Sequence, residues 1–278
     1  MANNNNNKPV PYYTKEYVST FKTVFGVQAA FGAALAPLQI LDGVAMNKTA
    51  FSVKTNNTPV VVGEYNESGD VNKGVNRFGD ATEIIYADED VPYDYTWAIH
   101  EMLDLFTVNN DPQGVITDRL ILQAEAKTRL ANKRIGKKTG ELAGKKLEMA
   151  AITEEELHKV FNEVREYLRN LEVIAPVTAY VTPAVYTIYK ELDKKSAANG
   201  FTSAFDVVEE AEQNFPADAK ILFIPDGIVV PFVGVETVRT ITSELHPGYN
   251  LQGAGKGGTF VIDDNKAAIV KVGVAPGA

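Results

Sequence analysis

Residues 51–65 (FSVKTNNTPVVVGEY) and 81–95 (ATEIIYADEDVPYDY) are rich in β-branched and aromatic side chains and alternate in places, so both read as strands. Between them, residues 66–80 (NESGDVNKGVNRFGD) hold three glycines and almost nothing to bury. Two strands joined by a polar tip of that length form a long hairpin arm. An isolated two-stranded ribbon is marginal in water. The arm therefore needs an outside surface to hold it, and a neighbouring subunit is the simplest one. A chain with this feature reaches out of its own core.

The rest of the 278 residues offers ample core for one large domain or two modest ones. There is no cysteine, which excludes disulfides and thiolate metal sites and fits a reducing cytoplasm. The first residues, MANNNNNKPVPYY, are polar and do not read as a signal peptide. Residues 24–41 (VFGVQAAFGAALAPLQIL) are long enough to suggest a membrane span. They carry Gln28 and Pro37 and mostly small side chains, so they read as buried or interfacial. Net charge is −9, which argues against general nucleic-acid binding. The charge is segregated, however. Residues 113–147 carry nine Lys and Arg against Asp118, Glu125 and Glu141, a local +6 that leaves the remainder at −15.

That basic segment coincides with the longest helical pattern, over 115–138. Ile116, Leu120, Ala124, Ala131 and Ile135 form a thin apolar stripe, and the other faces are basic. An excess of one sign in an acidic protein points to a surface that meets an anionic partner. Gly136, Gly140 and Gly144 are expected to weaken the helix end. Before it, residues 97–106 (WAIHEMLDLF) read as a short helix, and residues 15–28 as an amphipathic helix that either packs in the core or docks on a neighbour. After it, Thr153 and Glu156 form a capping box ahead of an apolar face of Leu157, Val160, Phe161, Val164 and Leu168. Residues 175–181 read as a strand, and Thr182-Pro183 as the start of another helix. A short helix is expected over 206–215 and a buried strand over 220–224, and residues 228–235 form a further apolar run. Residues 259–262 and 267–272 are expected to pair as a hairpin.

Catalytic and metal chemistry have little to stand on. His100, His158 and His246 share no metal-ligand spacing, and no G-x-S-x-G elbow is present. Asp88-Glu89-Asp90 and Asp263-Asp264 read as solvated strand ends and turns. No cofactor is expected. The stretch 246–260, HPGYNLQGAGKGGTF, nearly spells a phosphate loop. Gly253 is followed by Ala254 rather than lysine, and Lys256 by glycine rather than Ser or Thr. The next residues, GTFVIDD, are strand-like, where a phosphate loop would open a helix. The glycines Gly253, Gly255, Gly257 and Gly258 read instead as a flexible hinge.

The ordered series of parts resembles the major capsid proteins of tailed bacteriophages, the Hong Kong 97-like shell fold that encapsulin nanocompartments share. FSVKTNNTPVVVGEYNESGDVNKGVNRFGDATEIIY is similar to the family's extended loop, ITDRLILQAEAKTRLANKRI to its spine helix, and VTAYVTPAVYTIYKEL with PDGIVVPFVG to its axial domain. The closing KGGTFVIDDNKAAIVKVGV is similar to its terminal peripheral strands. The resemblance implies an α+β chain with an N-terminal arm (1–47), an extended hairpin loop (48–96), a peripheral domain with the spine helix (97–150), an axial domain (151–252) and a second peripheral part (253–278). It implies a structural protein, not an enzyme, that self-assembles into pentamers and hexamers of an icosahedral head around double-stranded DNA, or alternatively an encapsulin-like compartment.

The implied partners are further copies of the chain, a separate scaffolding protein, a portal protein and packaged DNA held without sequence preference, with no membrane. The implied place is the virion, assembled in the host cytoplasm. Arg119, Lys127, Arg129, Lys133, Arg134, Lys137 and Lys138 would face DNA or scaffold. Lys54, Asn66, Lys73 and Arg77 would lie in the inter-subunit loop. Some family members crosslink a loop lysine to a neighbour's asparagine, for which Lys54, Lys73 and Asn265 are on hand, but no catalytic glutamate can be matched.

Overall fold

The structure is a computed structural model that describes residues 30–41, 49–55, 60–67, 77–79, 81–104, 112–199, 204–242 and 247–275. The expected helix over 15–28, Lys73 and His246 lie outside the described residues. In chain order the elements are β1 (Gln39–Ile40), β2 (Thr49–Thr55), β3 (Ala87–Pro92), β4 (Tyr95–Asp104), α1 (Pro112–Leu142), β5 (Lys145–Met149), α2 (Glu154–Asn170), β6 (Val177–Val181), α3 (Pro183–Asn199), β7 (Asp206–Glu209), a 3₁₀ turn (Glu212–Asn214), β8 (Ile221–Pro225), β9 (Val230–Thr242), β10 (Gly248–Phe260), a short helical turn α4 (Asp263–Lys266) and β11 (Val270–Val274).

The chain divides into two units, Asn47–Pro92 and the remainder. The smaller unit is the expected hairpin. β2 and β3 pair antiparallel, with Thr49 opposite Pro92 and Thr55 opposite Ala87. Beyond that ladder Val60, Val61 and Val62 are strongly exposed, as are Ile84, Ile85 and Tyr86, so the β-rich runs 51–65 and 81–95 form ladder over only part of their length. At the base of the tip the Asn66 amide donates to the Arg77 carbonyl, and the Tyr65 and Phe78 rings meet edge to face at 5.2 Å.

The larger unit is built on two sheets. One has five strands in the order β5-β11-β8-β6-β7, and the other has four in the order β1-β9-β10-β4. β8 explains why ILFI is apolar throughout: the sheet is covered on both faces. Ile221 and Phe223 point to a core completed by Leu157, Val160, Phe161, Val164 and Leu168 of α2. Leu222 and Ile224 point the other way, to a core completed by Ala131 and Ile135 of α1 and by Ala30, Phe31 and Ala34. The apolar face expected on α2 is buried as its spacing requires, and the Thr153 hydroxyl accepts from the Glu156 amide at its start. Glu156 completes only half of the expected box: its carboxylate accepts from the Ala150 amide. Gly227, at φ +73°, closes the turn after β8, where a side chain would be strained.

Several local expectations fail for non-local reasons. Residues 95–104 form a strand, not a helix: Tyr95, Trp97 and Ile99 alternate with the more exposed Thr96, Ala98 and His100. Residues 206–215 form β7 and a 3₁₀ turn, because β7 pairs parallel to β6. The hairpin expected across 259–272 does not form. β10 and β11 enter different sheets, and β11 pairs with β5 and β8. The boundary expected between 252 and 253 falls inside β10, and the one between 96 and 97 inside β4.

Candidate assembly and nucleic-acid surfaces

α1 runs four residues beyond its expected end, straight through Gly136 and Gly140. Those glycines are contacts rather than breaks. A Cβ on Gly136 would fall 2.8 Å from the Phe31 ring and closer still to the Asn214 carbonyl, and one on Gly140 would fall 2.4 Å from Pro216. Gly136 lets the helix sit hard against Phe31 and Asn214, and Gly140 lets it sit hard against Pro216. Phe31 is fully buried there at φ +61°, in edge contact with Tyr180 at 5.0 Å and Phe215 at 6.0 Å. Three amides of this segment are held by side chains: Ala30 by Asn132 Oδ1 (3.1 Å), Phe31 by Glu210 Oε1 (3.1 Å) and Ala34 by the Tyr180 hydroxyl (3.0 Å). Burial raises the Glu210 carboxyl above the usual range, against the bonds it accepts.

The basic residues of α1 do not form one free stripe. Lys127 faces inward, pairs with Glu236 of β9 at 2.5 Å and lies 4.6 Å from the Trp97 ring, and both members of the pair are almost wholly enclosed. Burial pulls its ammonium down to about 8, opposed by the attraction of Glu236. Lys127 is therefore removed from the set expected to meet an anionic partner. Arg119 binds Glu101 of β4 through two nitrogens, and Gln123 joins the same carboxylate at 2.9 Å. The Arg119 bond holds the Glu101 carboxyl below the usual range. Arg129 pairs with Glu125, Lys137 with Glu141, and Lys138 with Asp94. Among the described residues only Lys133 and Arg134 of the expected set lack a carboxylate at ion-pair distance. Both are exposed, and Arg134 lies over the Tyr95 ring at 5.8 Å. Acids from β4, β9 and the Tyr93-Asp94 link thus offset much of the segment's +6.

The glycine-rich stretch 246–260 is neither a phosphate loop nor a hinge. Its described part is β10, paired to β4 on one side and β9 on the other. Its glycines make a bed for aromatic rings. A Cβ on Gly255 would lie 2.8 Å from Trp97, one on Gly257 2.7 Å from Tyr95, and one on Gly258 2.2 Å from Phe232. A Cβ on Gly253 would lie 3.3 Å from the same indole. Large rings on adjacent strands fold across a strand that has no side chains of its own, a recognised stabilisation of glycine in sheets. In one row Glu236, Gly255 and Trp97 sit side by side on β9, β10 and β4, and Lys127 closes over them from the helix. Lys256 lies 5.5 Å from the Tyr93 ring.

The remaining expected residues are spread out. Lys54 is exposed on β2, Asn66 and Arg77 meet at the tip base, and Asn265 sits in α4. His100 stands opposite Gln252 on the outward face of the four-stranded sheet, and His158 lies beside Asn162. No cluster of three metal-ligating side chains occurs among the described residues, and no described helix is long and apolar enough to cross a membrane. Trp97, Glu236 and Asp94, the residues that fasten helix to sheet, were not singled out by sequence. Their helix partners lie 30 to 109 positions away, and only the unusual run of glycines hinted that something large covers β10.

No protein-family model and no curated protein sequence matches this chain. Solved structures do. The mature capsid of bacteriophage PhiM1 is similar with a TM-score of 0.63 at 11% identity, over 90% of this chain and 88% of that one. The capsid of cyanophage P-SCSP1u is similar with a TM-score of 0.59 at 11% identity, over 86% of each chain. The virus-like particle from Pyrococcus furiosus is similar with a TM-score of 0.55 at 13% identity, over 93% of this chain and 98% of that one. Hairpin, long helix and two sheets in this order are a viral shell fold. It is the Hong Kong 97-like fold of tailed-phage major capsid proteins.

Proposed function

We propose that this chain is the major capsid protein of a tailed phage, a structural subunit that self-assembles into pentamers and hexamers of an icosahedral head around double-stranded DNA. The observation that carries the reading is the shared course of the chain with phage capsids over nearly its whole length. The exposed valines and isoleucines of the hairpin support it, because such side chains need a surface that the hairpin alone does not provide. In this reading α1 and the four-stranded sheet form the peripheral domain, and the five-stranded sheet with α2 and α3 forms the axial domain. Arg129, Lys133, Arg134 and Lys137, exposed on α1, face packaged DNA or, before it, a separate scaffolding protein, through contacts blind to sequence. A portal protein completes the head, and the subunit resides in the virion after assembly in the host cytoplasm. Its role is structural rather than catalytic.

The likeness to the Pyrococcus furiosus particle favours a second reading, an encapsulin-like compartment shell. Electron microscopy of the expressed protein, alone and with its neighbouring phage proteins, separates the two. DNA-filled heads support the capsid, small shells around a protein cargo support the compartment, and a protein that stays monomeric in every condition overturns both.

A further inference from the structure

The four-stranded sheet has two unlike faces. Trp97, Gly255 and Glu236 face Lys127, so α1 covers one of them. On the other, Ala98 and His100 of β4, Thr237 and Arg239 of β9 and Ala254 of β10 are exposed. The register there sets Arg239, Gln252 and His100 abreast on β9, β10 and β4, beside a row of small residues, Thr237, Ala254 and Ala98. A cleft of about 440 Å³ opens over these rows. Hydrogen bonds orient the first row. Arg239 Nε donates to Gln252 Oε1 at 2.8 Å, and the Gln252 amide nitrogen lies 3.3 Å from His100 Nε2. The neutral ring accepts there and carries its own proton on Nδ1. Beyond its own bonds the row therefore offers chiefly donors: the two terminal nitrogens of Arg239, a second N–H of Gln252 and Nδ1–H of His100. The carboxylates of these strands lie elsewhere. Glu236 pairs with Lys127 and Glu101 with Arg119 on the covered face. Asp104 stands four residues from His100, about 13 Å along β4. Among the described residues Arg239 has no carboxylate at ion-pair distance.

We propose that this cleft is an oxyanion site, and that its occupant is a carboxylate on an acidic segment of a partner protein. Arg239 takes the carboxylate with its two terminal nitrogens, the forked geometry that suits a guanidinium. Gln252 is a positioning residue: it holds Arg239 Nε, so less side-chain freedom is lost when the carboxylate arrives. His100 donates a second bond at the far end of the row, two strand spacings or about 10 Å away. Thr237, Ala254 and Ala98 are too small to keep a segment from lying flat beside them. A phosphate shares this acceptor chemistry. A protein is favoured as the source because α1, with its exposed cations, lies on the opposite side of the sheet. That choice of source rests on the reading of α1 as the surface that faces DNA, whereas the site itself does not.

The test uses the full chain with two labelled probes, a short glutamate-rich peptide and a short DNA duplex, in low salt. Binding of the peptide, read by fluorescence anisotropy, should weaken roughly tenfold or more in Arg239→Gln. Gln252→Leu keeps every charge and should still weaken it severalfold, which attraction between bare charges would not produce. The ring resonances of His100 should move as the peptide is added while those of His158 stay still. Both variants should melt with the unaltered chain, because neither change reaches a core. Equal affinity in the unaltered chain and Arg239→Gln, or a His100 ring that the peptide does not move, overturns the site. A duplex that moves His100 and is weakened by Arg239→Gln, where the peptide does neither, overturns the protein occupant and assigns the cleft to phosphate. Particles seen by electron microscopy in a preparation that binds neither probe leave the shell reading standing while the site falls.

Discussion

At Gly258 a single methyl group would come within 2.2 Å of Phe232, which is itself buried and has nowhere to withdraw. Gly258→Ala is therefore expected to cost about 1–3 kcal/mol, and Gly253→Ala, at 3.3 Å from Trp97, distinctly less. Thermal denaturation ranks the two, and equal costs would refute the aromatic bed. Beside it, Lys127→Met alone strands the buried Glu236 carboxylate and should cost about 3–5 kcal/mol, whereas Lys127→Met with Glu236→Leu should recover most of that. The pair also sets a pH signature. Burial holds the folded Lys127 near 8 against an ordinary 10.5, so between those values the unfolded chain binds a proton that the folded chain does not. The burden of enclosing the ammonium is full below pH 8 and is relieved as pH rises towards 10.5. The unaltered protein should thus gain stability relative to the double variant between pH 8 and 10. That window lies below the one in which Tyr95 and Tyr180, raised by burial to about 12, withdraw their own contribution between about pH 10 and 12. Urea midpoints at pH 7, 8, 9 and 10 measure the gap, and a constant gap would refute the assignment.

α1 is the element on which charge matters most, and its exposed residues do not contribute equally. Among the described residues Lys133 and Arg134 have no acid at ion-pair distance, whereas Lys137 and Lys138 have Glu141 and Asp94. Replacing Lys133 and Arg134 by Ala should reduce DNA retention in heated particles more than replacing Lys137 and Lys138, with shell formation intact in both. Equal retention in the two would count against a DNA-facing helix. The same element illustrates what sequence can tell. The period of α2 and its Thr153 cap are local signals, and both appear where expected. In α1 the apolar stripe was legible, but Gly136 and Gly140 were misread. Their meaning lies with Phe31, Asn214 and Pro216, which arrive from distant parts of the chain. β4 was misread for the same reason: the alternation of Tyr95, Trp97 and Ile99 acquires its face only when β10 lies beside it, some 150 positions on. Strand preference reflects neighbours more than backbone, so strands with remote partners are the hardest to read. The basic run was legible as a count, but not the acids that fold supplies to it.

For the whole molecule, the hairpin separates architecture from assembly. Residues Asn47–Pro92 form a unit of their own, and the rest of the chain carries both sheets and both cores. Because Thr49 is paired with Pro92 across the ladder, the two ends of the hairpin lie about one strand spacing apart, roughly 5 Å. A few Gly and Ser residues can therefore replace residues 49–92 without pulling on the larger unit. The exposed valines and isoleucines leave with the hairpin, and the surface they would cover on a neighbour is left bare. The excised chain should fold, with cooperative melting and a midpoint within a few degrees of the unaltered protein, because loops that close short gaps cost little. It should remain soluble and small by sedimentation and form no closed particles at any concentration. Particles formed without the hairpin would show that the arm is not what joins the shell. A chain that no longer melts cooperatively would show instead that the arm belongs to the core, contrary to the division of the molecule into two units.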